Sequence, residues 1–505
     1  MIDTKALREK VLDLAIRGKL VPQDPNDEPA SVLLERIRAE KQQMVKDGKL
    51  KAKDIKNDTI IFKGEDNLHY EQFQDGTVKC IEDEIPFDLP DSWMWCRLQI
   101  ICPYGDCKKV NGNDIKDNEW ILELEDIEKN TGRIISIVTK ANRDSISTKH
   151  KFAKGQLLYS KLRPYLNKVV IAIADGYCSS EILPLKLYGS IIPEYIQIYL
   201  MSETFLDYVN MISYGVKMPR LGTDDGKIAL VALPPLAEQK RIVKFYNSIN
   251  PVIDQLQEES EILCNTISTI KSKILDLAIR GKLVSQDPND EPASVLLERI
   301  RSEREELIKQ GKIKRDKNES IIFKGDDNSY YEDIPSNWEV CSILSIAEVE
   351  LGKTLDSAKN TGSYYPYLRS VNIKWNGIDL ADIKEMRFEE SELERYSVIK
   401  NDLLICEGGD VGRCCVWKSN STIYFQNALH RVRFYGECSP QYFMFVMMHL
   451  ENIGYLKQIS NGVTIKHLTK KVLAGIPFLL PPIEEQKRIV ETIERLFVHL
   501  NYISH

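Results

Sequence analysis

The chain repeats itself, and this repeat constrains its fold more than any other feature of the sequence. The segment LDLAIRGKLVPQDPNDEPASVLLERIR at residues 12–38 returns at 275–301 with a single difference. A second segment, LPPLAEQKRIV at 233–243, returns as LPPIEEQKRIV at 480–490. Self-similarity at a fixed separation indicates repeated structural units. The 505 residues are therefore predicted to hold two copies of one fold.

Between these anchors the two copies diverge but stay in register. KGQLLYSKLRPYLNKVVIA at 154–172 aligns with KNDLLICEGGDVGRCCVWK at 400–418, and ISYGVKMPRL at 212–221 aligns with ISNGVTIKHL at 459–468. Apolar residues and glycines persist while polar residues change. This pattern indicates one fold that carries two different surfaces. The alternative is a recent duplication with drift in the less constrained part.

A long helix is predicted between the copies. From Ile242 to Leu277, apolar residues recur at alternating steps of four and three, which is typical of a coiled coil. The alternative is a helix buried in one globular core. Pro251 is expected to kink or interrupt the helix, because proline lacks the backbone N–H.

The same apolar pattern continues at the C-terminus, from Ile489 to Ile503. The tail and the head of the chain together match almost the whole central helix. The sequence therefore predicts a circular repeat that is opened within one helix, with the two chain ends close together beside the central helix.

The predicted fold class is α+β: two repeated α/β domains separated by long antiparallel coiled-coil helices, in a circular pseudo-two-fold repeat. The expected segments are a helical N-terminal part with an extension (1–87), the first domain (88–235), the central helix with the repeated extension (236–332), the second domain (333–482) and a C-terminal helix (483–505). Local expectations are helices at 12–20, from Pro29 onward and at 194–214, a strand at 168–174, and irregular structure at 57–88.

Composition favours a reduced cytoplasmic protein. The chain is 43% hydrophobic and 28% charged, and no apolar run approaches the roughly 18 residues of a membrane span. The N-terminus is charged and lacks an apolar signal core, and the 11 cysteines are scattered without a CxxC pair. The net charge of −7 argues against a nucleic-acid binder. That acidity, however, lies in the connecting regions, because the two divergent domains are nearly neutral.

Motifs of the common catalytic and cofactor sites are missing. Gly352, Lys353 and Thr354 match the end of a phosphate-binding loop, but Ala347 stands where its first glycine is needed. The sequence also lacks HExxH, GxSxG, GxGxxG and an NPPY-type methyltransferase motif. We therefore predict no catalytic residue, no cofactor and no metal ion for this chain.

The first domain contains a basic region. Residues 129–168 hold ten Lys and Arg against one acid, Asp144. Such a patch can neutralise several DNA phosphates; the alternative is an ordinary solvated face. The DNA-binding candidates of this domain are Lys140, Arg143, Lys149, Lys151, Lys154, Lys161, Arg163, Tyr165, Lys168, Ser179, Ser180, Lys217 and Arg220.

In the second domain the candidates are sparser and less basic. Arg reads guanine edges, and Asn and Gln read adenine edges, through paired hydrogen bonds; the alternative is ordinary surface or core polarity. The candidates are Arg369, Asn372, Lys374, Trp375, Arg413, Gln426, Asn427, His430, Arg431, Lys466 and His467.

The doubled connector, LPPLAEQKRIV and LPPIEEQKRIV, together with ILDLAIRGKLV after the central helix, resembles the specificity subunit of type I restriction–modification enzymes. The resemblance covers essentially the whole chain. It implies that each divergent domain is a target recognition domain reading one half of a bipartite, asymmetric site in double-stranded DNA. It also implies that the helices set the spacing.

The resemblance further implies the partners. The helices would hold two methyltransferase subunits that bind S-adenosylmethionine, joined by two endonuclease–translocase subunits that use ATP and Mg²⁺. This chain would have no catalysis of its own. Two rival hypotheses are a coiled-coil scaffold without DNA affinity and an enzyme with an unrecognised site.

Overall fold

A computed structural model describes residues 2–143, 146–215, 217–313, 334–356, 360–460 and 467–503. Contacts divide the chain into two compact units: the first unit, residues 2–260, and the second unit, residues 261–505. The division falls within a single long helix.

The helices of the first unit are α1 (Thr4–Ile16), α2 (Ala30–Lys46), α3 (Ala52–Ile55), α4 (Leu98–Ile101), α5 (Pro193–Met201), α6 (Glu203–Ile212), α7 (Thr223–Ile228) and the first part of α8 (Leu236–Ile279). Its strands are β1 (Ile60–Lys63), β2 (His69–Gln72), β3 (Val78–Cys80), β4 (Met94–Arg97), β5 (Lys109–Val110), β6 (Ile121–Leu122), β7 (Lys149–Phe152), β8 (Leu157–Ser160), β9 (Val169–Ile171), β10 (Gly176–Ser179), β11 (Ile182–Leu185) and β12 (Leu230–Leu233).

The second unit contains the end of α8 and then α9 (Ala293–Lys309), α10 (Ile343–Ile346), α11 (Pro440–Asn452), α12 (Tyr455–Ile459), α13 (Lys470–Ala474) and α14 (Ile483–Ile503). Its strands are β13 (Glu339–Ser342), β14 (Ala347–Leu351), β15 (Ser363–Leu368), β16 (Ile373–Lys374), β17 (Gly377–Ile378), β18 (Lys384–Phe388), β19 (Ser397–Val398), β20 (Leu403–Cys406), β21 (Cys414–Val416), β22 (Ile423–Phe425), β23 (Leu429–Phe434) and β24 (Pro477–Leu480).

The sheets of the two units share a common set of strand pairings, which confirms the predicted repeat. The antiparallel pair β12–β4 recurs as β24–β13, and the order β11-β8-β9 recurs as β23-β20-β21 with β14 added at its edge. A parallel pair, β6 with β10, recurs as β15 with β22. Each domain is therefore a mixed sheet structure flanked by helices.

Each unit also holds an antiparallel pair of helices. In the first unit, Arg8 on α1 pairs with Asp254 on α8 at 2.6 Å. In the second unit, Lys271 on α8 donates a hydrogen bond to Asn501 on α14 at 2.6 Å. Because the repeat aligns position 8 with 271 and 254 with 501, the two contacts are equivalent. The short helix of the repeat is thus α1 in one unit and the end of α8 in the other, as the circular repeat predicts. Met1 and residues 504–505 lie outside the described residues, so the closeness of the chain ends stays a prediction.

Three local predictions need correction. Helix α8 continues through Pro251, so the proline does not interrupt it, and the predicted kink stays a prediction. The predicted helix at 194–214 is two helices, because Ser202 ends α5 and its hydroxyl then caps α6 by accepting from the Phe205 N–H. Residues 57–88 include the three-stranded sheet β1–β3.

A buried carboxylate joins three distant segments of the first unit. The Trp93 indole N–H donates to Glu238 Oε2 at 2.8 Å, and the Gln23 amide donates to Glu238 Oε1 at 2.5 Å. Glu238 has no solvent exposure. We call these three residues the first clasp; they tie the loop after α1 and the start of the domain to helix α8.

The second unit repeats this arrangement as the second clasp. The Trp338 indole donates to Glu485 Oε2 at 2.8 Å, and the Gln286 amide donates to Glu485 Oε1 at 2.5 Å. Glu485 is also fully buried. The Gln and Glu residues of each clasp belong to the repeated connectors, and the Trp residue belongs to the repeated motif at the start of each domain. Their hydrogen bonds explain why these residues recur in both copies.

We predict that Trp93→Phe lowers the free energy of unfolding by about 1–3 kcal/mol, because the buried carboxylate loses a hydrogen-bond partner. Trp338→Phe should cost a similar amount in the second unit. Urea denaturation measures both. Trp95→Phe is the matched control, since the Trp95 indole nitrogen is buried without a hydrogen-bond partner. Equal costs for Trp93→Phe and Trp95→Phe would show that the clasp bond contributes nothing.

The clasps also predict a pH dependence. Burial raises the pKa of Glu238 and Glu485 above the ordinary value of 4.5, although the Trp and Gln hydrogen bonds oppose this rise. A carboxyl with a raised folded-state pKa stabilises the fold below its unfolded pKa and loses that contribution as pH rises through the folded pKa. The double variant Glu238→Gln/Glu485→Gln has no ionisable group at these two positions, so its stability does not decrease in this way as the pH rises. Its unfolding free energy relative to wild type should therefore increase between about pH 4.5 and pH 7, and a pH-independent difference would contradict the prediction.

Candidate nucleic-acid interface

Three loops of the first domain meet at one edge. They are residues 161–165 after β8, 179–181 at the end of β10, and the described residues 214–215 and 217–220 before Leu221. The Lys161 N–H donates to the Glu181 carbonyl at 3.0 Å, and the Leu221 N–H donates to the Lys161 carbonyl at 3.0 Å. We call this the first loop edge. It brings together seven of the predicted residues: Lys161, Arg163, Tyr165, Ser179, Ser180, Lys217 and Arg220.

The second domain builds the same edge with the same backbone bonds. The Glu407 N–H donates to the Ala428 carbonyl at 2.9 Å, and the Leu468 N–H donates to the Glu407 carbonyl at 2.7 Å. We call this the second loop edge. The predicted residues Gln426, Asn427 and His467 lie on it, and Arg413 lies behind it.

The two edges differ in the side chains that they present at equivalent positions. The repeat aligns Lys161 with Glu407 and Arg163 with Gly409, so two cations of the first edge have no cationic counterpart. The first edge also presents Lys217, an exposed side chain. It is therefore basic, whereas the second edge presents amides, acids and a histidine. One backbone frame thus carries two chemically different surfaces.

Arg163 has a left-handed backbone conformation, with φ of 47°. Its counterpart Gly409 has φ of 78°. A non-glycine residue with positive φ costs of the order of 1 kcal/mol and is most often kept at functional sites. The frame needs this conformation in both domains, and only the first domain places a guanidinium there.

The sequence interpretation missed exposed apolar side chains on the first loop edge. Tyr214 and Met218 are 60% and 48% exposed, beside the predicted Tyr165 at 47%. It also missed the ion pair between Glu181 and Arg220, at 3.1 Å. The available signal was the alignment of 212–221 with 459–468. The two copies of this loop align without a gap, but their side chains differ.

Several predicted cations of the first domain serve an acidic turn instead. Lys149 is 2% exposed and donates to Glu123 at 2.5 Å. Arg143 pairs with Asp126 at 2.8 Å. The prediction that Lys149 contacts DNA is therefore corrected, since its ammonium is buried and paired. Lys140 lies half-exposed in the turn that precedes Arg143.

Lys168 and Arg413 brace corresponding turns, although the alignment pairs Lys168 with Cys414. Lys168 Nζ donates to the Leu124 carbonyl at 2.6 Å, and Arg413 donates to the Ser370 carbonyl at 2.9 Å. The Lys168 bond holds the short turn after β6, the strand parallel to β10. The Arg413 bond holds the corresponding turn after β15, the strand parallel to β22. Arg413 also pairs with Asp410. These cations position the turn behind each loop edge.

In the second domain, burial removes three predicted contacts. Asn372 is 2% exposed and caps its turn by accepting from the Arg369 N–H at 2.9 Å. His430 is buried and donates to the Leu468 carbonyl at 2.7 Å, and burial lowers its pKa. Arg431 is 2% exposed and bonded to Glu348 at 2.9 Å. The alternation along β23 marked core positions, so these three predictions are corrected.

The remaining predicted residues lie away from the loop edges or outside the described chain. Arg369 pairs with Asp382 at 2.6 Å. Lys374 is exposed on the β16–β17 hairpin, whereas Trp375 packs against the core of the second unit. Lys466 lies outside the described residues. In the first domain, Lys151 and Lys154 are exposed on β7 and the turn that follows it.

Among the described residues, no group of three or more His, Cys, Asp or Glu side chains is arranged to hold a metal ion. Within the same part of the chain, every helix is too short or too polar to cross a membrane.

Comparison with known proteins points to one family. The family model described as Type I restriction modification DNA specificity domain matches residues 335–503. The specificity subunit of the Escherichia coli type I restriction enzyme EcoAI is 28% identical, over 99% of this chain and 90% of that protein. The corresponding EcoEI subunit, also from Escherichia coli, is 28% identical over 98% of this chain and 89% of that protein. A solved chain from work on complex assembly and conformational transition of the type I R-M system has a TM-score of 0.57 at 17% identity, covering 83% of this chain and 93% of that chain, so it shares the fold.

We predict that Arg163→Gly separates stability from DNA binding. Glycine relieves the positive φ, so the unfolding temperature should stay within a few degrees of wild type. Affinity for duplex DNA should fall by roughly 1–3 kcal/mol, because a guanidinium is lost from the first loop edge. Fluorescence anisotropy and thermal unfolding measure the two effects.

The matched control is Asn67→Gly, which relieves an equivalent positive φ of 64° on an exposed turn between β1 and β2. It should leave DNA affinity unchanged. Unchanged affinity for Arg163→Gly as well would remove Arg163 from the interface.

Proposed function

We propose that this chain is a specificity subunit of a type I restriction–modification system, like the relatives to which it is similar, and that its two loop edges read the two halves of a bipartite, asymmetric DNA site. The observation that carries the proposal is the shared backbone frame of the edges with different side chains at equivalent positions. A coiled-coil scaffold without DNA affinity would not need two such edges, so the structure favours the reading function.

The two edges favour different base contacts. Arg163 and the lysines of the first edge suit phosphates and the guanine O6 and N7 atoms. Gln426 and Asn427 of the second edge offer the amide pair that matches adenine, and the Glu407 carboxylate suits the cytosine amino group. The half-site read by the first domain is thus expected to be the more guanine-rich one.

The repeated connectors support a proposal about partners. Each unit presents the same helix pair and the same clasp, so each offers one docking surface for a methyltransferase subunit. In this proposal those two subunits carry S-adenosylmethionine, and two endonuclease–translocase subunits use ATP and Mg²⁺. This chain contributes DNA specificity without catalysis, and the complex acts in the cytoplasm.

The decisive experiment is methylation mapping by long-read sequencing in a host that co-expresses this chain with its methyltransferase. A new bipartite motif that depends on this chain would support the proposal. Stable complexes without any chain-dependent methylation would favour the scaffold.

Variants of one edge then test the assignment of domains to half-sites. Gln426→Ser/Asn427→Ser introduces the residues that the first domain has at 179 and 180. It should relax or change one half of the motif and leave the other intact, because only one edge is altered. Ser179→Gln/Ser180→Asn is the reciprocal variant and should alter the opposite half. A change of both halves by either variant would contradict the modular assignment.

A further inference from the structure

The first loop edge carries exposed apolar side chains as well as cations. Tyr165, Tyr214 and Met218 are all exposed. Single exposed apolar side chains are common on protein surfaces, but these three lie on two loops that touch, since the Arg163 N–H donates to the Pro219 carbonyl at 2.7 Å. The edge therefore suits a polyanion that also offers apolar surface.

Met218 lies in a short loop whose two ends are fixed. The Tyr214 and Arg220 backbones exchange two hydrogen bonds, at 2.9 and 3.2 Å. The Arg220 guanidinium pairs with Glu181 of the neighbouring loop at 3.1 Å. Pro219 follows Met218, and a proline restricts the backbone of the residue before it. The apolar side chain of Met218 is thus presented to solvent from a braced loop.

The repeat keeps the position of Met218 apolar while a neighbouring position changes. The alignment of 212–221 with 459–468 pairs Met218 with Ile465, whereas Lys217 is paired with Thr464. Residues 461–466 lie outside the described residues. An exposed position that stays apolar while its neighbour changes suits a contact that both domains make.

A DNA duplex offers an apolar side chain few partners. Phosphates and groove edges are polar, apart from the thymine methyl group. The largest apolar surfaces of DNA are the faces of the stacked bases, which are accessible only where a base step opens. Side chains such as Met, Leu, Ile and Pro insert at such steps in proteins that kink DNA. Methionine is unbranched and flexible, so it fits an irregular gap.

We propose that Met218 inserts between two base pairs of the half-site read by the first domain and opens that base step. This inference rests on the proposed function, because it requires the first loop edge to lie against DNA. Lys161, Arg163 and Lys217 attract the flanking phosphates, and this attraction offsets the cost of unstacking. Pyrimidine–purine steps unstack most readily. The half-site is therefore expected to contain a TA, CA or TG step at the point of insertion.

The test uses the full-length chain without a methyltransferase, so that a base flipped by that enzyme does not contribute to the signal. The probe is a duplex with the motif found by methylation mapping. It carries one fluorescent analogue, 2-aminopurine for adenine or pyrrolocytosine for cytosine, at each position in turn. At saturation the wild-type chain should raise the fluorescence severalfold at one step of one half-site, because unstacking relieves quenching.

Variants then assign the signal to one side chain. Met218→Ser should abolish the fluorescence change, since a hydroxyl does not replace the stacked base face, and Met218→Leu should retain it. Met211→Ser is the matched control, because Met211 is exposed on α6 and lies outside the three loops of the edge. It should retain the full signal.

The failure of this inference differs from the failure of the proposed function. Preferential binding of the motif without a fluorescence change at any step, or a signal that persists in Met218→Ser, would overturn the insertion alone. Equal affinity of the wild-type chain for the motif and for a scrambled duplex would contradict the proposed function as well. If Met218→Ser keeps the signal but releases the methyltransferase from the assembled complex, the apolar side chains bind protein, which also overturns the insertion.

Discussion

The buried carboxylate of each clasp is the interaction on which the rest of the repeat depends. A carboxylate without solvent contact is costly unless hydrogen-bond donors surround it. Glu238 receives donors from Gln23 and Trp93, which lie more than a hundred residues away along the chain. The connector helix, the loop after α1 and the start of the domain must therefore meet in one geometry. The adjacent Gly18 adds a second constraint, because a Cβ there would lie 2.5 Å from the Pro90 ring. Few substitutions satisfy both constraints, which accounts for connectors that are nearly identical while the domains between them diverge.

The loop edges differ from the clasps in the kind of contact that holds them. Their frame is held by backbone hydrogen bonds, such as those of Lys161 with Glu181 and Leu221. The same bonds persist when Lys161 is replaced by Glu407 in the second copy. A frame held largely by backbone hydrogen bonds allows most of these side chains to change at little cost to folding, although Arg163 carries the cost of its positive φ. Each unit thereby combines a constrained connector with a loop edge whose side chains vary.

The sequence predicted the repeat, its circular form and the helix pairs, because these depend on apolar spacing and on near-identical letters. It did not predict which polar residues are available to DNA. The basic region 129–168 looked unpaired because its acidic partners, Glu123 and Asp126, precede it in the sequence. His430 and Arg431 looked like alternating surface residues of a strand, but β23 is covered on both faces. Pairing across the chain and burial on a second face are tertiary properties, and a linear pattern does not contain them.

The duplication also resolves the conflict between an acidic chain and a DNA-reading function. The net charge of the chain adds together surfaces that have different roles. Here the acidic residues of the helices and extensions outnumber the basic residues of the first loop edge. The described residues of the first edge include, besides Arg220, the three cations Lys161, Arg163 and Lys217 and one acid, Glu181, which is paired with Arg220. Attraction to phosphate falls off within about 10 Å at ordinary ionic strength, so the local charge of that edge decides the contact. Among its described residues, the second edge presents amide and acid groups, which act only at close range. In the proposed function, the first domain therefore supplies the electrostatic attraction to DNA, and the second adds selectivity once the duplex is near.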